Sequence, residues 1–296
     1  MTSIKTAASP SSLALNGWCR WLVAAAALTV AGALMVGEAA AQDFRGIDTT
    51  IELPPEQISS ILSAQDKLLA DALGQLAPQR PGVRDIYVVT LAGHAGQTAF
   101  RKEAIKVREV LERQLGTPGH AITLANSVET TTIYPLASPE NIERVLVGVG
   151  KVLDPKEDVL LMYMTSHGEP DRFTLRFNGF PMHDLSSRDL VKMFKSANIG
   201  PRAVFMSACY SGSFIKKLEG PDALVATASS ADRVAYGDLG LKEHTFFGEA
   251  IFSEAFPSSR SLTKAFDIAR TQIDSWEKQY DLEPSYPQIS VGSNIA

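Results

Sequence analysis

Cysteine is nearly absent. The 296 residues hold two, Cys19 and Cys209, so no disulfide framework can staple the fold. Basic clusters are absent as well. Lys and Arg total 28 against 33 Asp and Glu, a net charge of −5, which argues against a nucleic-acid or anionic-membrane partner. The five histidines are scattered and no HExxH occurs, so no metal-site signature is present and no cofactor is expected. "GVGKVLD" lacks the G-x-x-x-x-G-K-[ST] spacing of a phosphate loop. A G-x-S-x-G elbow is missing too, which argues against a serine hydrolase. No repeat interrupts the chain.

What is present begins at the N-terminus. Lys5 and Arg20 precede an apolar, Ala-rich stretch from Trp21 to Gly37, and Ala39-Ala40-Ala41 follows before Gln42. That is the layout of a secretory signal peptide over residues 1–41. A stretch of about 17 residues is also near the lower limit for a membrane span, so an uncleaved anchor is the alternative. Either way the rest of the chain is expected to be exported, periplasmic or secreted, or held at a membrane by this segment. Losing Lys5, Arg20 and Glu38 takes the net charge from −5 to −6 and leaves Cys209 as the one cysteine. A lone thiol in an oxidising compartment is either a buried small hydrophobe or a nucleophile.

Residues 42–82 read as a leader and an accessory helix. Pro54-Pro55 opens that helix, and Ile58, Ile61, Leu62, Leu68, Leu69, Leu73 and Leu76 recur at helical spacing. "APQRPG" ends it. The main domain spans 83–296. "DIYVVTLAG", "HAITLAN", "DVLLMYMTSHG", "AVFMSAC" and "DALVATASS" are apolar runs. They alternate with helical stretches near 98–115, 138–152, 184–197, 244–255 and 260–280, and "RFTLRFNG" adds a short strand of a hairpin. Runs apolar on both faces, alternating with helices, predict an α/β fold with a mostly parallel sheet covered on both sides.

In such sheets the chemistry lies beyond the carboxyl ends of strands. Two strand ends stand out: "MTSHGEP" with His167, and "FMSACYSGS" with Cys209. His167 and Cys209 are 42 residues apart, which fits a crossover between neighbouring parallel strands. An imidazole beside a thiol can take its proton and later protonate a leaving amine. A helix starting after Cys209 would favour the thiolate. The amides of Gly168 and Cys209 would face one crevice and could stabilise an acyl-transfer oxyanion. Small residues at Ser207, Ala208 and Gly212 leave room for a substrate backbone. His94, between Gly93 and Gly96, reads as a flexible loop residue. Asp184 or Ser186 reads as a helix cap, and His244 as structural.

A strand ending in S-H-G, then a strand ending in A-C-x-S-G-S about forty residues on, resembles the legumain family of cysteine peptidases, which share a caspase-like fold. The resemblance covers roughly Asp85 to Gly292, and "PSYPQISVG" is similar to the end of its bacterial members. It implies a three-layer α/β sandwich, His167 as general base, Cys209 as nucleophile, and the Gly168 and Cys209 amides as oxyanion hole. It also implies a specificity pocket, with Arg101 and Asp238 as its matching residues. Plant and animal members carry a Glu where Ser207 stands. They have a His-orienting Asn where this chain has Thr98 or Ala99, and Thr98 is the hydroxyl that could substitute. The implied activity is peptide-bond hydrolysis by an exported endopeptidase acting on peptides or proteins. Transpeptidation on the same acyl-enzyme, a catalytically silent binding module, and a thiol redox protein are the other readings. The last would need an intermolecular thiol partner.

Overall fold

A computed structural model describes residues 53–237 and 243–295. The signal-like segment 1–41 and Asp238 lie outside the described residues. Everything below belongs to the unit Asp48–Ala296.

The chain runs α1 (Pro55–Gly74), β1 (Ile86–Ala92), α2 (Thr98–Leu115), β2 (Ala121–Ala125), α3 (Pro139–Val152) and β3 (Val159–Thr165). A hairpin of β4 (Gly168–Glu169) and β5 (Arg172–Phe173) precedes α4 (Ser187–Ser196) and β6 (Arg202–Ser207). The short α5 (Ile215–Leu218) leads to β7 (Ala223–Thr227). α6 is a rod of Phe246–Gly248, a π-helical Glu249–Ala255 and Phe256–Ser259, followed by α7 (Leu262–Gln279) and β8 (Gln288–Val291). The sheet order is β2-β1-β3-β6-β7-β8. All pairs are parallel except β7 with β8.

Each central strand is apolar on both faces because both are covered. Tyr87, Val89, Leu91, Met162, Met164, Val204 and Met206 pack into one core with residues of α3 and α4. Val88, Leu161, Tyr163, Ala203 and Phe205 pack into the other with residues of α2, α6 and α7. The alternation is the two-residue period of a strand, and the result is the expected three-layer α/β sandwich.

Local signals account for the helix ends. Gly116 closes α2 in the left-handed conformation at φ 65°. Ser138 caps α3, with Pro139 in its first turn. Ser186, rather than Asp184, caps α4 in a capping box with Asp189. α1 is built into the unit. Gln65 Oε1 accepts from the Leu136 amide at 2.8 Å and from Asn141 Nδ2 at 3.0 Å. Gly148 on α3 lies under Leu73, so close that a Cβ there would be 2.3 Å from Leu73 Cδ2.

Two elements differ from the sequence reading. β8 carries no strand signal, since its four residues alternate weakly and are half-exposed. It forms because β7 offers an open edge. The helix read over 244–255 starts at Phe246, with Thr245 as its cap, and passes through the π-helical segment.

Candidate active site

The site is set by register. Ala92 on β1 lies beside Thr165 on β3, and Thr165 lies beside Ser207 on β6. The Ser166 amide still donates to the Ser207 carbonyl at 3.1 Å. Beyond that bond the chains part, and His167 and Cys209 each stand two residues past the last paired residues. Gly168 then turns back against Cys209. A Cβ on Gly168 would lie 2.4 Å from the Cys209 carbonyl oxygen and 3.1 Å from Ala208 Cβ. A side chain is excluded by space rather than by backbone angle.

The hairpin orients this turn. The Thr174 amide donates to the His167 carbonyl at 3.1 Å, and the Phe173 amide donates away, to Leu185, at 2.8 Å. Gly168 and Phe173 therefore form a non-hydrogen-bonded pair. In such a pair the Gly168 N–H is directed away from β5.

The His167 ring meets two others nearly at right angles. His94 lies at 4.7 Å between centroids with an 85° interplanar angle, and Phe100 at 5.2 Å and 87°. Expected to be a flexible loop residue, His94 is instead buried. The reason is the clamping of its loop. Gly93 O accepts from the Arg176 amide at 2.9 Å and from Asn126 Nδ2 at 2.8 Å, and the Ala95 amide donates to Arg176 O at 3.1 Å. Thr98, the anticipated orienting residue, is exposed at the start of α2.

Cys209 is half-buried and in no disulfide. Its Sγ accepts from the Ala235 amide at 3.4 Å and donates to the Ala235 carbonyl at 3.5 Å. Burial pushes the thiol pKa up, and the Ala235 amide opposes that less strongly. The helix expected to favour the thiolate is displaced. Tyr210 takes a left-handed φ of 56°, a 3-10 turn Ser211–Phe214 follows, and α5 is four residues long. Burial is the largest influence on this thiol. Gly212 is needed where the turn crosses the next loop, since a Cβ would lie 2.7 Å from Ala231 N.

The residues matched to a pocket have partners of their own. Ser207 is 2 % exposed, and its Oγ lies 2.8 Å from Thr245 Oγ1. The Thr245 amide donates to Glu103 Oε2 at 2.6 Å, and Tyr163 OH donates to Glu103 Oε1 at 2.5 Å. Burial pushes both the Glu103 and Tyr163 pKa values up. Arg101 pairs with Glu129. His244 pairs with Glu249 at 2.9 Å, which raises its pKa. Among the described residues no cluster of His, Cys, Asp and Glu could hold a metal ion.

Asn126, Phe100 and Ala235 carry parts of this geometry that sequence reasoning missed. Only Asn126 had a usable signal, a polar side chain directly after the apolar run of β2.

The fold has a solved relative in caspase-1 from Spodoptera frugiperda. The likeness covers 73% of this chain and 92% of that one, at 13% identity and a TM-score of 0.51. It speaks to the fold alone. None of the curated proteins matches. The model of the peptidase C13 family matches residues 125–296, the part that carries β3, β6, His167 and Cys209. With more than half its length matched and a caspase-like sandwich beneath it, the chain belongs to the peptidase C13 family.

Proposed function

We propose that the protein is an exported cysteine endopeptidase in which Cys209 is the nucleophile and His167 the general base. One observation carries the reading. Adjacent parallel strands end in register, and the glycine after His167 lies against the backbone of Cys209.

The reaction starts from a neutral thiol, since burial disfavours the thiolate. His167 takes the thiol proton as Sγ attacks the substrate carbonyl. The oxyanion of the tetrahedral intermediate is stabilised by the amides of Gly168 and Cys209. The Gly168 N–H is suited to this because the hairpin does not use it. The imidazolium then protonates the leaving amine, and an acyl-enzyme remains on Cys209. Water, deprotonated by His167, releases the acid and regenerates the thiol. An amine in place of water gives transpeptidation on the same intermediate.

Arg101, Ser207 and Asp238 are proposed to line the pocket for the residue on the acyl side. With Arg101 paired to Glu129 and Ser207 bonded to Thr245, Asp238 is the carboxylate whose replacement by Asn should move the preference.

A fluorogenic peptide library varied at that position tests the reading. Cleavage by the purified protein, lost in Cys209→Ala, is expected. Equal cleavage by Cys209→Ala would overturn the mechanism. Export rests on residues 1–41, and N-terminal sequencing of the mature protein from the extracytoplasmic fraction should begin at Gln42. An intact Met1 on a cytoplasmic product would refute it.

A further inference from the structure

We infer that His94 is the positioning residue for His167. This rests on the peptidase reading and departs from the expectation that Thr98 orients His167, because Thr98 is exposed whereas the His94 ring lies against that of His167.

A general base works only if its ring is held where the proton is. His167 follows the last residues of a strand, and its side chain has two rotatable bonds. Two rings stand perpendicular to it, those of His94 and Phe100, and such edge-to-face contacts are favourable and directional. Phe100 comes from the rigid α2. His94 comes from a loop, so it can position nothing unless that loop is fixed. Three backbone ties fix it. Gly93 and Ala95 bond to both sides of Arg176 in the segment after β5, and Gly93 is held again by Asn126. Gly93 also sits where a Cβ would be 2.6 Å from Thr174 O, so the loop is pressed against the same hairpin that follows His167.

The tautomer of neutral His94 is set as well. The Gly96 amide donates to His94 Nδ1 at 3.0 Å. Nδ1 is therefore an acceptor, and the neutral ring carries its proton on Nε2. Placing a second proton on Nδ1 would break that bond. In its neutral form His94 stands beside a histidine that becomes a cation in each turnover. A charged neighbour at this distance would oppose that cation. A neutral ring walls His167 without repelling it.

The test compares His94→Ala and His94→Phe with wild type in the full protein, by kcat, KM and the pH profile of Cys209 alkylation. His94→Ala should lose about 10–100-fold in kcat with little change in KM, the scale expected when a reacting group is misplaced. Its alkylation profile should move toward that of His167→Ala. His94→Phe restores a ring and should recover most of the loss. Wild-type kcat and alkylation in His94→Ala would overturn the inference, and so would a loss that His94→Phe does not recover. If His94→Ala does not fold, as judged by circular dichroism, His94→Gln removes the ring conservatively and should show the same loss. Controls separate the two readings. If Cys209→Ala and His167→Ala were as active as wild type, the peptidase reading would fail. If they are inactive and His94→Ala is normal, only the positioning role fails.

Discussion

Gly168 and Cys209 meet backbone to backbone, with room for a hydrogen and not for a methyl group. The Cys209 carbonyl that an added Cβ would strike, at 2.4 Å, cannot withdraw without carrying the thiol with it. Gly168→Ala should therefore lower stability by about 1–3 kcal/mol, the usual range for overpacking, and remove most turnover. Denaturant unfolding and peptide cleavage on the same sample check both. A stable, fully active variant would mean that the turn adapts.

His167 and Cys209 should be coupled in their titration. Without the imidazole, burial is the larger influence on the thiol and raises its pKa. In His167→Ala, alkylation of Cys209 should then have its midpoint above the roughly 8.5 of a free cysteine. Wild type should have a lower midpoint, and the variant should lose about 10²–10⁴-fold in turnover. Iodoacetamide kinetics across pH measure this. Superimposable profiles would show the two side chains to be independent.

Glu103 should make stability fall with rising pH. Burial raises its pKa above the ordinary 4.5. Above that value the unfolded chain releases the proton first, so the folded state loses ground until its own, higher pKa is passed. Glu103→Gln mimics the protonated side chain and still offers an acceptor to the Thr245 amide. It should fold, and its stability curve should be flatter than that of wild type from pH 4.5 upward. Urea titrations at several pH values decide. Parallel curves would indicate that Glu103 is ionised throughout.

Gln65 should be worth more than its place on a leading helix suggests. Its Oε1 is the partner of the Leu136 amide and of Asn141 Nδ2. Gln65→Ala leaves a buried N–H without an acceptor and should lower stability by about 1–3 kcal/mol. Thermal or urea unfolding tests this. An unchanged midpoint would mean that α1 docks by its apolar face alone.

Much of this was legible in the chain. β1, β3, β6 and β7 read as apolar runs because both sheet faces are buried, and His167 and Cys209 stood out because each follows such a run directly. The caps at Ser138 and Ser186 were equally local. What was hidden depends on residues far apart in sequence. Ser207 meets Thr245, and His94 is buried by a loop that Arg176 and Asn126 hold. A glycine-flanked histidine looks mobile until those ties are seen. β8 was invisible for a similar reason, since its pairing is dictated by the edge of β7.

The in-register ends of β3 and β6 have one more consequence. Neighbouring parallel strands lie about 4.8 Å apart whatever joins them, so the spacing of the two strand ends, at Thr165 and Ser207, is a property of the sheet and not of the crossover. Within the crossover, Gly179, Pro181 and His183 are exposed, whereas Met182 is buried in the core beside Asn126. Changes confined to those exposed positions leave the separation of the two strand ends as it is.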